Sequence, residues 1–289
     1  MVDNRLEAML GVYVYLVKKT VPSSELKEGT VPDRLPIVLP RLGSGGTLGE
    51  EAYQIIKEAI VSTQLPPGTL LPEDSLVKSL GASRTPVREA LRRLYMEGLV
   101  DLPPRKAARV VFLTNRDMDA VFEAREVAET RFFVRAARTI AGQEFSKIKE
   151  KLGRAESALT AAAGQPGLWR QAQKEYLSLD RAFHDLLVEG CGNQYWIRFY
   201  RSLRDRIQIF AYLVSTAHPE RFHVAIQEHY DILDAISAGE FARGKALMLK
   251  HIRTFRARIN LEWLSHQTRM MEEGSPNEPP RGTVFGKLG

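Results

Sequence analysis

Apolar positions recur at helical spacing over most of the chain and take a strand-like form in one short stretch only. Leu48, Ala52, Ile55, Ile56, Ala59 and Ile60 form a stripe behind Thr47-Leu-Gly-Glu50, a capping-box pattern. Pro66, Pro67 and Gly68 then turn the chain. Leu76, Val77 and Leu80 form a second stripe, followed by Gly81 where a helix end favours positive φ. Val87, Leu91 and Leu94 form a third, with Ser83 placed to N-cap it and Pro86 tolerated in its first turn. Leu99–Leu102 and Arg109–Leu113 read as two short strands, with Pro103-Pro104-Arg105-Lys106 as the hairpin tip. Helix, turn, helix and hairpin together predict a winged helix-turn-helix over residues 47–114.

From Asn115 the strand signals stop. Helical patterns run near 116–140, 143–163, 168–189, 193–216, 219–238 and 240–265, broken at Gly142, Gly164 to Gly167, Gly190 with Gly192, Pro219 and Gly239. Six helices predict an all-α bundle over 115–266. The fold class is therefore mainly α, a winged helix followed by a six-helix bundle. Residues 1–46 lack a coherent period and are rich in Pro, Gly and Ser, which predicts a flexible extension. Residues 267–289 read as a disordered tail.

Charge sharpens the first half of this picture. Arg84, Arg88, Arg92 and Arg93 lie opposite the apolar stripe of the third helix. Seven basic and three acidic residues between Arg84 and Arg109 contribute +4 to a chain of formal net charge +6. An isolated run of arginines is more often a solvated face. Here the turn, the basic helix and the basic hairpin are contiguous, as a surface docking in the major groove of double-stranded DNA requires. The single cysteine, Cys191, rules out an intrachain disulfide and a multi-cysteine zinc site, and a reducing, cytoplasmic setting is expected. The apolar run from Leu10 to Val17 is too short to span a bilayer, so no membrane partner is expected.

SRTPVREALRRL, followed by Glu97 to Val100, resembles the DNA-binding domain of the GntR family of bacterial transcription regulators. PPGTLLPEDSL resembles that family's link between its first two helices. The resemblance covers about residues 48–113 and implies DNA contacts from Ser83, Arg84, Thr85, Arg88 and Arg92, with Arg105 and Lys106 reaching from the wing. It also implies a homodimer on a palindromic operator, most often as a repressor, since one recognition helix reads few base pairs. Two positions depart from the family pattern. Asp74 stands where some members carry a DNA-contacting Arg, and the wing tip lacks the common Gly.

In the second half, Asp180 and His184 lie one turn apart on an otherwise apolar face with Tyr176, Phe183 and Leu187. His229 shares a stripe with Ile226, Leu233 and Ile236, and His251 shares one with Leu247, Phe255 and Ile259. One such histidine is more often a hydrogen-bonded core residue. Three of them with an aspartate all point to the bundle core, and one divalent metal would satisfy them together. The donor set suits Zn²⁺ first, with Ni²⁺, Mn²⁺ or Fe²⁺ also accommodated. His218, His223 and His266 fall off the stripes and read as surface.

Residues 116–262 resemble the FCD ligand-binding domain of the FadR subfamily, and six helices resemble its shorter, VanR-like branch. The D-x3-H, H, H order matches the metal site of many FCD domains. Arg125 and Glu129, taken alone, are an ordinary i, i+4 surface pair. The resemblance implies instead that Arg125 faces the ligand pocket and clamps a small carboxylate effector. A ligand-responsive, non-enzymatic regulator follows. The alternative is a metal-dependent enzyme domain fused to a DNA-binding domain.

Overall fold

The computed structural model describes residues 35, 37–43, 47–217 and 222–272, with backbone only for 215–217 and 261–272. The described residues up to Ile259 cluster as one compact unit, which holds the winged helix and the bundle to that point.

Helix α1 (Leu48–Val61) begins where Thr47 Oγ1 accepts the Glu50 N–H at 3.3 Å. The other half of the expected capping box does not form, because the Glu50 carboxylate turns to Gln54 and Arg93. Its buried Ala52, Tyr53, Ile56, Ala59 and Ile60 pack against α3 (Arg84–Met96), which buries Val87, Ala90, Leu91 and Leu94. Between them α2 (Glu73–Leu80) ends at Gly81, with φ +64°. Ser83 holds the N-cap position of α3 in extended conformation, but its side chain makes no capping bond.

The wing is three-stranded, not two-stranded. Strands β1 (Leu70–Leu71), β2 (Val100–Asp101) and β3 (Ala108–Val110) form an antiparallel sheet in the order β1-β3-β2. Leu70 lies opposite Arg109, and Val100 opposite Val110. A two-residue strand has too few positions to show alternation, so β1 leaves no sequence signal. Gly68 (φ +84°) leads into it, and a Cβ there would sit 2.3 Å from the Phe112 ring. At the tip, Lys106 N–H donates to the Pro103 carbonyl at 3.2 Å, and Arg105 takes φ +60° in place of the usual glycine.

Among the described residues seven helices follow where six were expected: α4 (Asn115–Thr130), α5 (Phe133–Thr139), α6 (Gly142–Ala161), α7 (Pro166–Glu189), α8 (Gln194–Ala217), α9 (Phe222–Ser237) and α10 (Phe241–Glu272). The helix count behind the likeness to the shorter branch is thus corrected. The expected helix 116–140 breaks at Arg131–Phe132 with neither Pro nor Gly to announce it. The Ala128 carbonyl, which a continuous helix would offer to the Phe132 N–H, takes the Trp196 Nε1–H at 2.8 Å. Phe132 packs edge-on against the same indole, at 5.4 Å. A tertiary contact therefore outcompetes helix propagation. No helix among the described residues is long and apolar enough to cross a membrane.

Two terminal expectations need partial correction. Within the expected flexible extension, Leu39 is buried, its N–H donates to Ser79 Oγ at 2.8 Å, and Leu42 N–H donates to the Leu80 carbonyl at 3.0 Å. That segment is therefore tied to α2. Residues 267–272, expected in the tail, continue α10. Residues 1–34, 36, 44–46 and 273–289 lie outside the described residues.

The winged helix meets the bundle through polar contacts. Lys57 on α1 lies 2.8 Å from both Glu97 and Asp205, the latter on α8. Arg206 donates to the carbonyls of Glu97 and Gly98, at 3.1 and 3.2 Å, just past the end of α3. A cation there complements the negative end of the helix dipole.

Candidate metal centre and DNA-reading face

Helix α7 carries Asp180 and His184 into the core between buried Tyr176, Phe183 and Leu187. Helix α9 brings His229 among Ile226, Leu233 and Ile236, and α10 brings His251 beside Met248 and Ile252. One donor atom from each of the four residues lies within 4.8 Å of the others. The His229 Nε2 to Asp180 Oδ1 distance is 3.4 Å, and His184 Nε2 lies 4.0 Å from the same oxygen. The imidazoles crowd one another, with ring centroids 4.6 to 5.5 Å apart. Tetrahedral ligands about 2.1 Å from a zinc ion sit about 3.4 Å apart, so the cluster is slightly wider than a closed zinc site.

The outer partners fix which nitrogen faces inward. His184 Nδ1 lies 2.5 Å from Glu129 Oε2, and His251 Nδ1 lies 2.7 Å from Glu228 Oε2. With each carboxylate ionised, Nδ1 carries the proton and Nε2 keeps its lone pair. His184 Nε2 is buried without a hydrogen-bond partner, as are both ring nitrogens of His229. Burial first, then the repulsion that protonated neighbours would exert, holds His229 and His251 well below the usual imidazole pKa. Burial raises the Asp180 carboxyl, against the opposing pull of His184 and Arg125. Neutral imidazoles with unsatisfied lone pairs beside a carboxylate are what a divalent cation requires, and the residues fit one.

Arg125 and Glu129 are not a surface pair. Arg125 is 2% exposed and donates from Nε to Glu129 Oε1 at 2.6 Å. Burial would raise the Glu129 carboxyl, but the Arg125 charge and the hydrogen bonds from Arg125 and His184 outweigh it and hold the pKa at about 2. Arg125 also lines a cavity of about 60 Å³ with Tyr176, Asp180, His251 and Arg258, walled by Leu177, Ile207, Phe222 and Phe255. A water needs roughly 10–15 Å³ on this measure, so the cavity holds a handful of heavy atoms. Tyr176 Oη is buried there without a partner, and burial keeps it protonated as a donor.

Glu129 as a histidine partner, Glu228, Tyr176 as a polar group and Arg258 were not singled out from sequence. Glu129 was within reach. Met118, Phe122, Arg125 and Glu129 share one phase of α4, so both charges continue a buried stripe. Glu228 adjoins His229 in sequence but partners His251, and no local pattern announces that. His223 is half exposed near Glu156, while the side chains of His218 and His266 lie outside the described residues.

On the winged helix, Ser83, Arg84, Thr85, Arg88 and Arg92 are all exposed along α3, as are Arg105 and Lys106 at the hairpin tip. Arg84 Nη2 lies 2.9 Å from Asp74 Oδ1, and Arg88 Nε lies 2.8 Å from Glu73 Oε2. Arg93 leaves the expected outer face. It pairs with Glu50 and stacks over the Tyr53 ring at 3.7 Å, so it belongs to the contact with α1.

Comparison with known proteins joins the two halves. Residues 48–110 match the family described as bacterial regulatory proteins, gntR family, and residues 120–254 match the FCD domain. The HTH-type transcriptional regulator YdhC of Bacillus subtilis is 25% identical over 78% of this chain and 93% of its own length. The gluconate operon transcriptional repressor of Bacillus licheniformis is 25% identical over 77% of this chain and 88% of its own. An HTH-type transcriptional regulator from the TAR-I ttuE-ttuC' intergenic region of Agrobacterium vitis is 32% identical over 50% of this chain and 80% of its own. In fold, E. coli McbR/YncC covers 76% of this chain and all of its own with a TM-score of 0.64 at 19% identity. The three sequence relatives are named as transcriptional regulators, which sets the metalloenzyme alternative aside. The chain thus belongs to the GntR family of bacterial regulatory proteins, a DNA-binding transcriptional regulator with an FCD domain behind its winged helix.

Proposed function

We propose that residues 115–266 sense a small carboxylate through a bound divalent metal, and that residues 47–114 carry the response to a palindromic operator. The observation that carries the reading is the convergence of Asp180, His184, His229 and His251 beside a cavity that also holds Arg125. A bound cation would supply a positive, Lewis-acidic centre with positions left for ligand oxygens. Zinc suits the donor set best. Glu129 engages Arg125 through Nε, which leaves the terminal nitrogens for a carboxylate. Tyr176 Oη would donate to the same ligand, and the apolar wall would take its carbon skeleton.

On the DNA side, Ser83, Arg84, Thr85, Arg88 and Arg92 would enter the major groove, with Arg105 and Lys106 on adjacent phosphates. Repression is favoured by relatives named as repressors. A homodimer is favoured by exposed Val127 on α4 and by Tyr195 and Phe199 on α8, which flank the Trp196 contact. The two functions would be linked through α7. Arg181, next to Asp180, donates to Asp205 Oδ1 at 3.3 Å, and the other Asp205 oxygen holds Lys57 of α1. A ligand that moves α7 would therefore bias the setting of the winged helix.

Elemental analysis of the purified chain, followed by a thermal-shift screen of small organic acids with and without chelator, tests the reading. We expect about one divalent ion per chain and a carboxylate-dependent rise in Tm that chelator or Arg125→Ala removes. A chain that binds no divalent ion after reconstitution, or acids that act equally on Arg125→Ala, would overturn it.

A further inference from the structure

We infer that Asp74 is a positioning residue for DNA reading: it holds Arg84 so that one edge of the guanidinium faces a guanine, and thereby sets the base preference at that step. The inference rests on the reading of Arg84 as a base contact.

Arg84 donates from both Nε and Nη2 to Asp74 Oδ1, at 3.2 and 2.9 Å. A guanidinium has five N–H donors in a fixed plane. The Nε side is taken by the aspartate. The edge formed by Nη1 and Nη2 remains, and it presents two parallel N–H groups matched to O6 and N7 of guanine. An unrestrained arginine at an exposed helix start has many rotamers and bonds phosphate oxygens as readily as bases. Holding one edge removes much of that freedom before DNA arrives.

The pair contributes little to the fold. Its side chains are 64% and 66% exposed, and solvent screens such pairs heavily. The arrangement also repeats. One turn further along α3, Arg88 Nε donates to Glu73 Oε2 at 2.8 Å. Two consecutive acids in the first turn of α2 thus each meet an arginine, the two arginines being four residues apart. The N-terminal dipole of α2 favours both carboxylates there, which is the competing explanation for their presence. That explanation accounts for negative charge but not for the Asp74 Oδ1 atom meeting both Nε and Nη2 of Arg84. A carboxylate beside the reading arginine also repels the phosphate backbone, so it lowers affinity for DNA in which the arginine finds no guanine.

The test uses the full chain and a pool of duplexes randomised over the binding site. The wild type, Asp74→Ala, Asp74→Asn and Arg84→Ala each select from the pool, and the bound duplexes are sequenced. Affinity is then measured for the selected duplex and a scrambled one. For Asp74→Ala we expect relaxed preference at the guanine step, tighter binding to the scrambled duplex, and a roughly tenfold fall in discrimination. Asp74→Asn keeps an acceptor for Arg84 and should retain most of the base preference while binding scrambled DNA more tightly. A role confined to charge or to the start of α2 predicts the same result for Asn and Ala, with base preference unchanged. Wild-type preference in Asp74→Ala, or equal relaxation in both Asp74 variants, overturns the inference. Arg84→Ala separates the two levels. If it leaves every position unchanged, base reading by Arg84 fails and the inference with it. If it relaxes one position and Asp74→Ala does not, only the role of Asp74 fails.

Discussion

Glu129→Ala removes the single carboxylate that joins Arg125 to His184. Arg125 would keep its charge in the interior with no partner at Nε, and His184 Nδ1 would lose its acceptor. Removing one side of a buried ion pair costs about 3–5 kcal/mol, because the other charge stays buried. An unmatched buried donor adds about 1–3 kcal/mol. The same contacts hold the Glu129 carboxyl pKa at about 2, so the direction of its shift agrees. Its distance below the ordinary value of 4.5 corresponds to roughly 3 kcal/mol, and it is not an additional term. Asp180 attracts the stranded guanidinium and offsets part of the loss. We therefore expect about 4 kcal/mol in all.

The assay is urea denaturation at neutral pH followed by far-ultraviolet circular dichroism. Chelator-treated protein keeps metal loading out of the comparison. In a domain of this size each kcal/mol lowers Tm by about 2–4 °C, so Glu129→Ala should also melt about 8–16 °C earlier. The double variant Arg125→Met with Glu129→Leu removes both charges and fills the space with apolar groups. It should fall within about 2 kcal/mol of wild type and be more stable than the single variant. A single variant within about 1 kcal/mol of wild type would refute the reasoning, as would a double variant less stable than the single.

Glu129→Gln keeps the shape but weakens the hold on His184, and should lower divalent-metal affinity about 10–100-fold in a competition titration with a fluorescent chelator. Gly68→Ala must adopt φ +84° and push its Cβ into the Phe112 ring, so a loss of about 2–4 kcal/mol is expected in urea melts, and none would mean the turn rearranges freely. Arg105→Gly should relieve the positive φ at the wing tip by about 1 kcal/mol. It should also weaken binding to all duplexes alike, lowering the salt-dependence slope by about one; sequence-selective loss would make Arg105 a base contact. Lys57→Met leaves Glu97 without its cation and Asp205 with Arg181 alone, at an expected cost of about 1–3 kcal/mol by the same melts.

The fold was legible wherever a stripe was long enough to show its period. The three helices of the winged helix and most of the bundle helices lie within a few residues of where their apolar positions put them. The failures have local causes. Strand β1 is two residues long, and its pairing with β3 is set by the turn at Gly68 rather than by alternation. The break after α4 depends on an indole 68 residues away, which no window along the chain includes. Leu39 carries its own burial signal, yet it is one apolar residue in a Pro- and Gly-rich segment, below the length at which a period can be seen.

At the site, the division is between phase and partner. Phase along a helix tells which side chains turn inward, and it brought Asp180, His184, His229 and His251 together because each sits on an apolar stripe. The same logic applied to α4 would have placed Arg125 and Glu129 inside, since they continue the phase of Met118 and Phe122. Their i, i+4 spacing does not show this, because it is equally satisfied on a solvated face. Partner choice across elements is a different matter. Arg84, Arg88 and Arg93 are chemically alike and lie on one helix. One acid on α1 nonetheless draws Arg93 inward, while Arg84 and Arg88 stay exposed and pair with two acids on α2. A basic helix becomes a reading surface only when the acids around it are assigned, and that assignment belongs to tertiary structure.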